Sequence, residues 1–139
     1  MMKALDISSS ALEAQRVRME VVAQNLANAQ TTRATQAPDG SFLPYRRRET
    51  VFKAMLGEGL DGPQGGVRVD RIQEDMSDFR LEYNPHHPHA DAQGYVKLPN
   101  VDVLMEMVDL MEASRAYEAN ITAMDATKSM VAASMRILA

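Results

Sequence analysis

A chain of 139 residues with a formal net charge of −4, no cysteine and no tryptophan excludes several classes of protein at the outset. Without cysteine there is neither a disulfide framework nor a thiolate metal site, and the slight acidic balance offers no domain-scale basic field for nucleic acid. No apolar run approaches the roughly 20 residues that a membrane-spanning helix needs, so membrane insertion is not expected.

The placement of structure-breaking residues sets the organisation. All seven glycines lie between Gly40 and Gly94, and all six prolines between Pro38 and Pro99. The flanks therefore carry no residue that would stop a helix, while the middle is rich in turn formers. The chain divides into an N-terminal helical segment (residues 1–32), an irregular or short-strand insert (33–99) and a C-terminal helical segment (100–139). Large interior-filling side chains are scarce, and alanine and eleven methionines supply much of the apolar content. Methionine packs adaptably against varied neighbours, a balance that suits helices buried against other chains.

In the first segment Leu5, Leu12, Met19 and Leu26 recur every seven residues, with Val22, Ala23 and Ala29 between them, which reads as a coiled-coil seam. Ser8, Ser9, Gln15 and Arg16 also fall near the seam, so the helix is expected to need partners. The opening Met1-Met2-Lys3-Ala4-Leu5-Asp6 lacks the apolar stretch and cleavage site of a secretory signal. Export, if it occurs, is expected by another route.

The middle holds strand candidates at Tyr45 to Phe52, Gly66 to Ile72 and Phe79 to Tyr83, the last two with alternating apolar residues. Asp61-Gly62-Pro63-Gln64-Gly65-Gly66 reads as a turn or loop. Strands this few and short are marginal unless a helix or another chain covers them.

The last segment opens after Pro99 with Asn100 as a candidate N-cap and with Asp102 and Glu106 suited to the positive helix start. Steps of four and three then pick out Val103, Met107, Leu110, Ser114, Tyr117, Ile121, Met124, Lys128, Val131, Met135 and Leu138. Only Ser114 and Lys128 interrupt this line, and five heptads of it predict a coiled coil. A helix from Val101 to the end would be about 58 Å long. Leu104, Val108 and Met111 widen its apolar face beyond what one partner helix covers. The expected fold is mainly α: two long N- and C-terminal helices forming a coiled-coil hairpin, with a small irregular or β-hairpin segment between them.

Candidate chemistry is sparse. His86, His87, His89 and Asp91 offer zinc-type ligands, but Pro85 and Pro88 stiffen the segment in extended form and no second ligand cluster exists. A solvent-facing or interface loop is the expectation. Arg46-Arg47-Arg48 is isolated and followed at once by Glu49, so a neighbour's carboxylates or solvent suit it better than phosphates. Glu112, Arg115 and Glu118 stand three apart on the long helix and read as an exposed or inter-subunit face. There is no strained nucleophile turn and no phosphate-binding glycine loop. No catalysis, cofactor, metal or small-molecule substrate is expected.

Two stretches carry a family resemblance. Ser8-Ser9-Ser10-Ala11-Leu12-Glu13-Ala14-Gln15-Arg16 and then Ala23-Gln24-Asn25-Leu26-Ala27-Asn28-Ala29-Gln30-Thr31-Thr32 are similar to the amino-terminal signature of the flagellar rod and hook axial proteins. Gly94-Tyr95-Val96-Lys97-Leu98-Pro99-Asn100-Val101-Asp102-Val103, followed by Glu106-Met107-Val108-Asp109 and by Ala113-Ser114-Arg115-Ala116-Tyr117-Glu118-Ala119-Asn120, resembles the carboxy-terminal signature of its proximal-rod members. Pro44-Tyr45-Arg46-Arg47 and Asn84-Pro85-His86 point the same way, and Arg33-Ala34-Thr35 departs from the glycine and aromatic that many relatives carry there.

The resemblance implies a structural subunit of the basal-body rod, exported unfolded by the flagellar type III apparatus and assembled in the periplasm with other rod proteins and neighbouring copies. Contacts with the basal-body rings are also implied. On that reading Leu5, Leu12, Met19 and Leu26 line an inner coiled coil with Met107, Leu110, Tyr117, Ile121, Met124 and Val131. Asn25, Asn28, Arg115, Tyr117, Glu118 and Asn120, matched to family motifs, are packing and hydrogen-bonding positions. The rival readings are a soluble coiled-coil adaptor or scaffold and, on the histidines, a metal-dependent hydrolase.

Overall fold

The computed structural model describes residues 2–38, 40–55 and 65–138. Helix α1 (Met2–Ala27) runs through the glycine- and proline-free start of the chain. Its end is closed by Asn28, whose main-chain N–H and side-chain amide both donate to the Gln24 carbonyl, at 3.1 and 2.9 Å. Helix α2 (Val103–Leu138) is 36 residues long, about 54 Å at the usual rise. Asp102 caps it, its Oδ1 accepting from the N–H groups of Leu104 (2.9 Å) and Met105 (3.3 Å). The cap is thus two residues later than Asn100, which is drawn instead into the hydrogen-bond network described below.

Between the helices lie three two-stranded antiparallel ribbons: β1 (Thr35–Gln36) with β2 (Phe42–Leu43), β3 (Arg48–Ala54) with β4 (Val67–Glu74), and β5 (Arg80–Tyr83) with β6 (Tyr95–Leu98). In the third, Arg80 faces Leu98 and Tyr83 faces Tyr95. Gly94, at φ +84°, makes the turn into β6. The turn expected at Asp61 to Gln64 lies outside the described residues.

Two compact units make up the chain. One comprises Met1–Glu20, Thr50–Ile72 and Leu110–Ala139. Within it Ala14 and Ala113 are buried, Arg18 pairs with Glu112 at 3.5 Å, and the Ser10 hydroxyl accepts from the Val67 N–H at 3.2 Å. The other comprises Val21–Glu49 and Gln73–Asp109 and buries Val21, Val22, Asn25, Ala29, Val96, Pro99, Val101 and Glu106.

This corrects the expected fold. The chain has its N- and C-terminal helices, but they do not form a simple coiled-coil hairpin with a minor insert, since three ribbons stand between them. The heptad line of α2 is also only half right. Leu110, Tyr117, Met124 and Val131 are half-buried, whereas Val103, Met107, Ile121 and Met135 are exposed. The second inward row is Glu106, Ala113, Asn120 and Thr127, which is small or polar. A coiled-coil seam needs two apolar rows turned to its partner; α2 turns one of its apolar rows to solvent.

Candidate assembly site

Among the described residues the two largest fully buried side chains are polar. Asn25, near the end of α1, and Glu106, in the first turn of α2, have no solvent exposure. Burial of a carboxylate and an amide is tolerated only when their hydrogen bonds are made, and here they are. Asn25 Nδ2 donates to the Arg48 carbonyl (2.7 Å) and to Glu106 Oε2 (3.0 Å). Its Oδ1 accepts from the Arg48 N–H (2.9 Å) and the Tyr45 hydroxyl (3.0 Å). The other Glu106 oxygen accepts from Arg47 Nε at 2.6 Å.

Arg47 continues the network outward. Its terminal nitrogens lie 3.6 Å from Glu49, 3.7 Å from Asp75 and 3.6 Å from Asp109. Its main-chain N–H donates to Asn100 Oδ1 at 2.9 Å, and Asn100 Nδ2 donates to the Asp75 carbonyl (3.0 Å) and the Ser77 hydroxyl (2.8 Å). Beside it, Arg46 donates to the carbonyls of Asp75 and Ser77, both at 3.1 Å, and lies over the Phe79 ring. Arg46 and Arg47 therefore engage carboxylates and carbonyls of their own chain, and the Arg48 guanidinium lies over the Tyr45 ring.

The electrostatics follow the geometry. Burial disfavours the Arg47 charge, but the hydrogen bond and charge of Glu106, with Asp75 and Asp109, outweigh it and raise the guanidinium pKa further. Hydrogen bonds from the Ser77 main chain and hydroxyl, helped by Arg47 and Arg46, hold the Asp75 carboxyl below its ordinary value against its burial. Burial pushes the Tyr45 phenol up; Arg48 opposes this, and Glu106 and Glu74 add to it.

The opposite side of α2 is apolar and open. Leu104 is 71% exposed, Met105 58%, Met111 54% and Met107 49%. With Val103 and Val108 these form a stripe over the first turns of the helix, which gives way to exposed Arg115, Glu118 and Thr122. Isolated exposed leucines mean little, but a contiguous apolar stripe marks an interaction surface.

The remaining residues singled out in the sequence lie as follows. Leu5, Leu12, Met19 and Leu26 are half-buried on α1. Asn28 closes the end of that helix and accepts from the Thr31 hydroxyl at 3.1 Å. On α2, Asn120 donates to the Ala116 carbonyl of its own helix at 2.8 Å. Ile121 is exposed. The sequence reading missed Arg47, Tyr45 and Glu106 as members of one network. The available signal was a carboxylate in the same heptad row as Ala113, Asn120 and Thr127.

Among the described residues no group of three or more histidine, aspartate or glutamate side chains is placed to hold a metal ion. His87 and His89 contact each other edge to face at 5.2 Å, and His87 Nδ1 accepts from the His89 main-chain N–H at 3.0 Å. Nor is any described helix long and apolar enough to cross a membrane.

Two family models match the chain: flagella basal body rod protein over residues 5–35, and flagellar basal body rod FlgEFG protein C-terminal over residues 92–137. A curated relative from Bacillus subtilis (strain 168), flagellar basal-body rod protein FlgC, is 50% identical, with 96% of this chain and 95% of the relative covered. The chain belongs to the FlgC family of flagellar basal-body rod proteins. FlgC of Borreliella burgdorferi is 41% identical over 96% of this chain and 95% of its own, and FlgC of Salmonella typhimurium 47% over 91% and 89%. The polar network draws Asn25, Asn100, Glu106 and Asp109 from the two family-matched stretches and Tyr45, Arg47, Arg48, Glu49, Asp75 and Ser77 from the chain between them. A FlgC protein is a structural subunit of the rod.

Proposed function

We propose that this chain acts without catalysis, as an interlocking subunit that joins other rod proteins and copies of itself in a helical tube crossing the periplasm and carrying torque. The observation that carries this reading is an inversion of ordinary burial. Among the described residues the buried apolar side chains, apart from Pro44 and Pro99, are alanines and valines, while Leu104, Met105, Met107 and Met111 stand open to solvent. A chain with so little large apolar interior gains its remaining stabilisation from neighbours.

On this reading the stripe from Val103 to Met111 packs against another rod subunit. Leu5, Leu12, Met19, Leu26, Leu110, Tyr117, Met124 and Val131 pack the subunit's own helices, Asn25, Asn28 and Asn120 fix helix ends and backbone, and Arg115, Glu118 and Ile121 meet neighbours. The chain leaves the cytoplasm through the flagellar export apparatus and meets the basal-body rings once in place. Partial order before assembly suits such export, and ordering on assembly is offset by the new interface.

The test is circular dichroism with sedimentation velocity at low micromolar concentration, alone and with other rod proteins. A partly helical monomer that gains helix in a larger species is the expected result. A fully helical particle indifferent to rod proteins would overturn the reading and favour a free-standing adaptor.

A further inference from the structure

A cleft of about 240 Å³ opens where the chain leaves α1 and returns along β6, with Thr32, Arg33, Phe42, His89, Asp91 and Lys97 among its walls. Its charges do not balance internally. Arg33 and Lys97 bring two cations, and among the described residues neither forms a salt bridge. The Arg33 guanidinium lies over the Phe42 ring, 4.7 Å from its centroid, which orients it without neutralising it. Asp91 is the cleft's one carboxylate, and its Oδ1 already accepts from the N–H groups of Gln93 and Tyr95, both at 2.9 Å. That ties the carboxylate into its own turn.

His89 reports the imbalance. Its Nδ1 is 2.7 Å from the Thr32 hydroxyl, which holds the ring at the cleft wall. Partial burial first, and then the positive fields of Arg33 and His87, keep the imidazole below the ordinary histidine value. Half-exposed Phe42 and Tyr95 flank the cations with apolar surface, which suits an anionic group carried on a larger body.

We propose that this cleft is a binding site for an oxyanion, a carboxylate or a phosphate group, held by Arg33 and Lys97 with protonated His89 as a further donor. The planar guanidinium fork matches either group, and Lys97 adds a point charge. Occupation would reverse the field at His89, so binding and protonation of that ring are linked and each strengthens the other. The site does not depend on the apolar stripe of α2 and stands apart from the rod reading.

The experiment follows the His89 ring signal by NMR in the full chain while acetate or inorganic phosphate replaces chloride at constant ionic strength, with exposed His86 as internal reference. The expected result is a saturable shift of His89, a raised apparent His89 pKa and no movement of His86. Arg33→Gln and Lys97→Gln should each raise the half-saturating concentration by about tenfold, the effect of losing one charge-assisted hydrogen bond, with unchanged circular dichroism. Tighter saturation by acetate assigns the site to a carboxylate group; tighter saturation by phosphate assigns it to a phosphate or phosphate ester. A drift that chloride reproduces, or saturation undisturbed in both variants, would overturn the proposal.

Discussion

Arg47 Nε meets Glu106 Oε1 at 2.6 Å, and the carboxylate it meets is closed to solvent. The pair ties the Tyr45 to Arg48 segment to the first turn of α2, and Asn25 brings in the end of α1 through the second carboxylate oxygen. Such a pair adds little net stability over a well-packed apolar substitute, yet removing one partner is costly because the other charge stays buried. Its value lies in fixing one arrangement of three segments that are distant in sequence.

Glu106→Ala should therefore destabilise the unit formed by Val21–Glu49 and Gln73–Asp109 by about 3 kcal/mol, read as a lower urea midpoint. Arg47→Met should cost at least as much, because it strands the fully buried Glu106 carboxylate with only Asn25 beside it, whereas Glu106→Ala leaves a partly exposed Arg47 that keeps Glu49, Asp75 and Asp109. In a double-mutant cycle the two changes should be strongly non-additive. Additive losses would mean that the 2.6 Å contact carries no coupling.

The acid limb of stability is assigned to Asp75. Its carboxyl is held below its ordinary value by Ser77 and the two arginines, so the folded chain binds its proton less readily than the unfolded one. The contribution is complete above the unfolded carboxyl value of about 3.9 and is lost as pH falls through the lower folded value. Ser77→Ala removes the hydroxyl and should move the Asp75 titration upward in a carbon-detected NMR experiment, while the Ser77 main-chain bond to Oδ1 at 2.9 Å keeps part of the shift. An unmoved titration would assign the depression to the Ser77 main-chain bond and the arginines, with no part for the hydroxyl.

Gly94 sits at φ +84° at the head of β6, and a Cβ there would lie 2.9 Å from Tyr83 Cε2 and 3.2 Å from Pro85 Cβ. Gly94→Ala should cost about 1–2 kcal/mol from the left-handed backbone alone, with the close contacts adding to it. Amide exchange should quicken selectively at Val96 and Leu98, which pair with β5. Uniform quickening across the chain would show instead that this ribbon opens only with the whole.

Much of the architecture was legible because the breakers are segregated: with no glycine or proline in Met2–Ala27 or Val103–Leu138, both helices follow from composition. Strands β3, β4 and β5 were visible as short strand candidates between turn formers, β4 and β5 with alternating apolar residues. The two-residue strands β1 and β2 and the four-residue β6 carry too few residues for a periodic signal. The facing of α2 was misjudged for a physical reason. Pattern reading sends apolar residues inward, but here Glu106, Asn120 and Thr127 turn inward with their hydrogen bonds made, while Met107 and Ile121 point out. A chain whose outer face is proposed to be covered by other chains inverts the rule, and one sequence does not say which apolar row the partner will cover.

That inversion gives the sharpest test of assembly. Leu104→Lys and Met111→Lys place charges on side chains that are 71% and 54% exposed, so the stability of the isolated chain should change by no more than about 0.5 kcal/mol. If the stripe is a contact, each lysine must be desolvated against an apolar neighbour, and binding to rod partners should weaken by about tenfold or more. Thr122→Lys is the matched control: it lies eighteen residues beyond Leu104, five full turns along α2 on the same side and past the end of the stripe. Sedimentation velocity with rod proteins should show loss of the larger species for the two stripe variants and its retention for the control. Equal loss in all three would locate the contact along the whole outer face of α2, and retention in all three would move it to another surface of the chain.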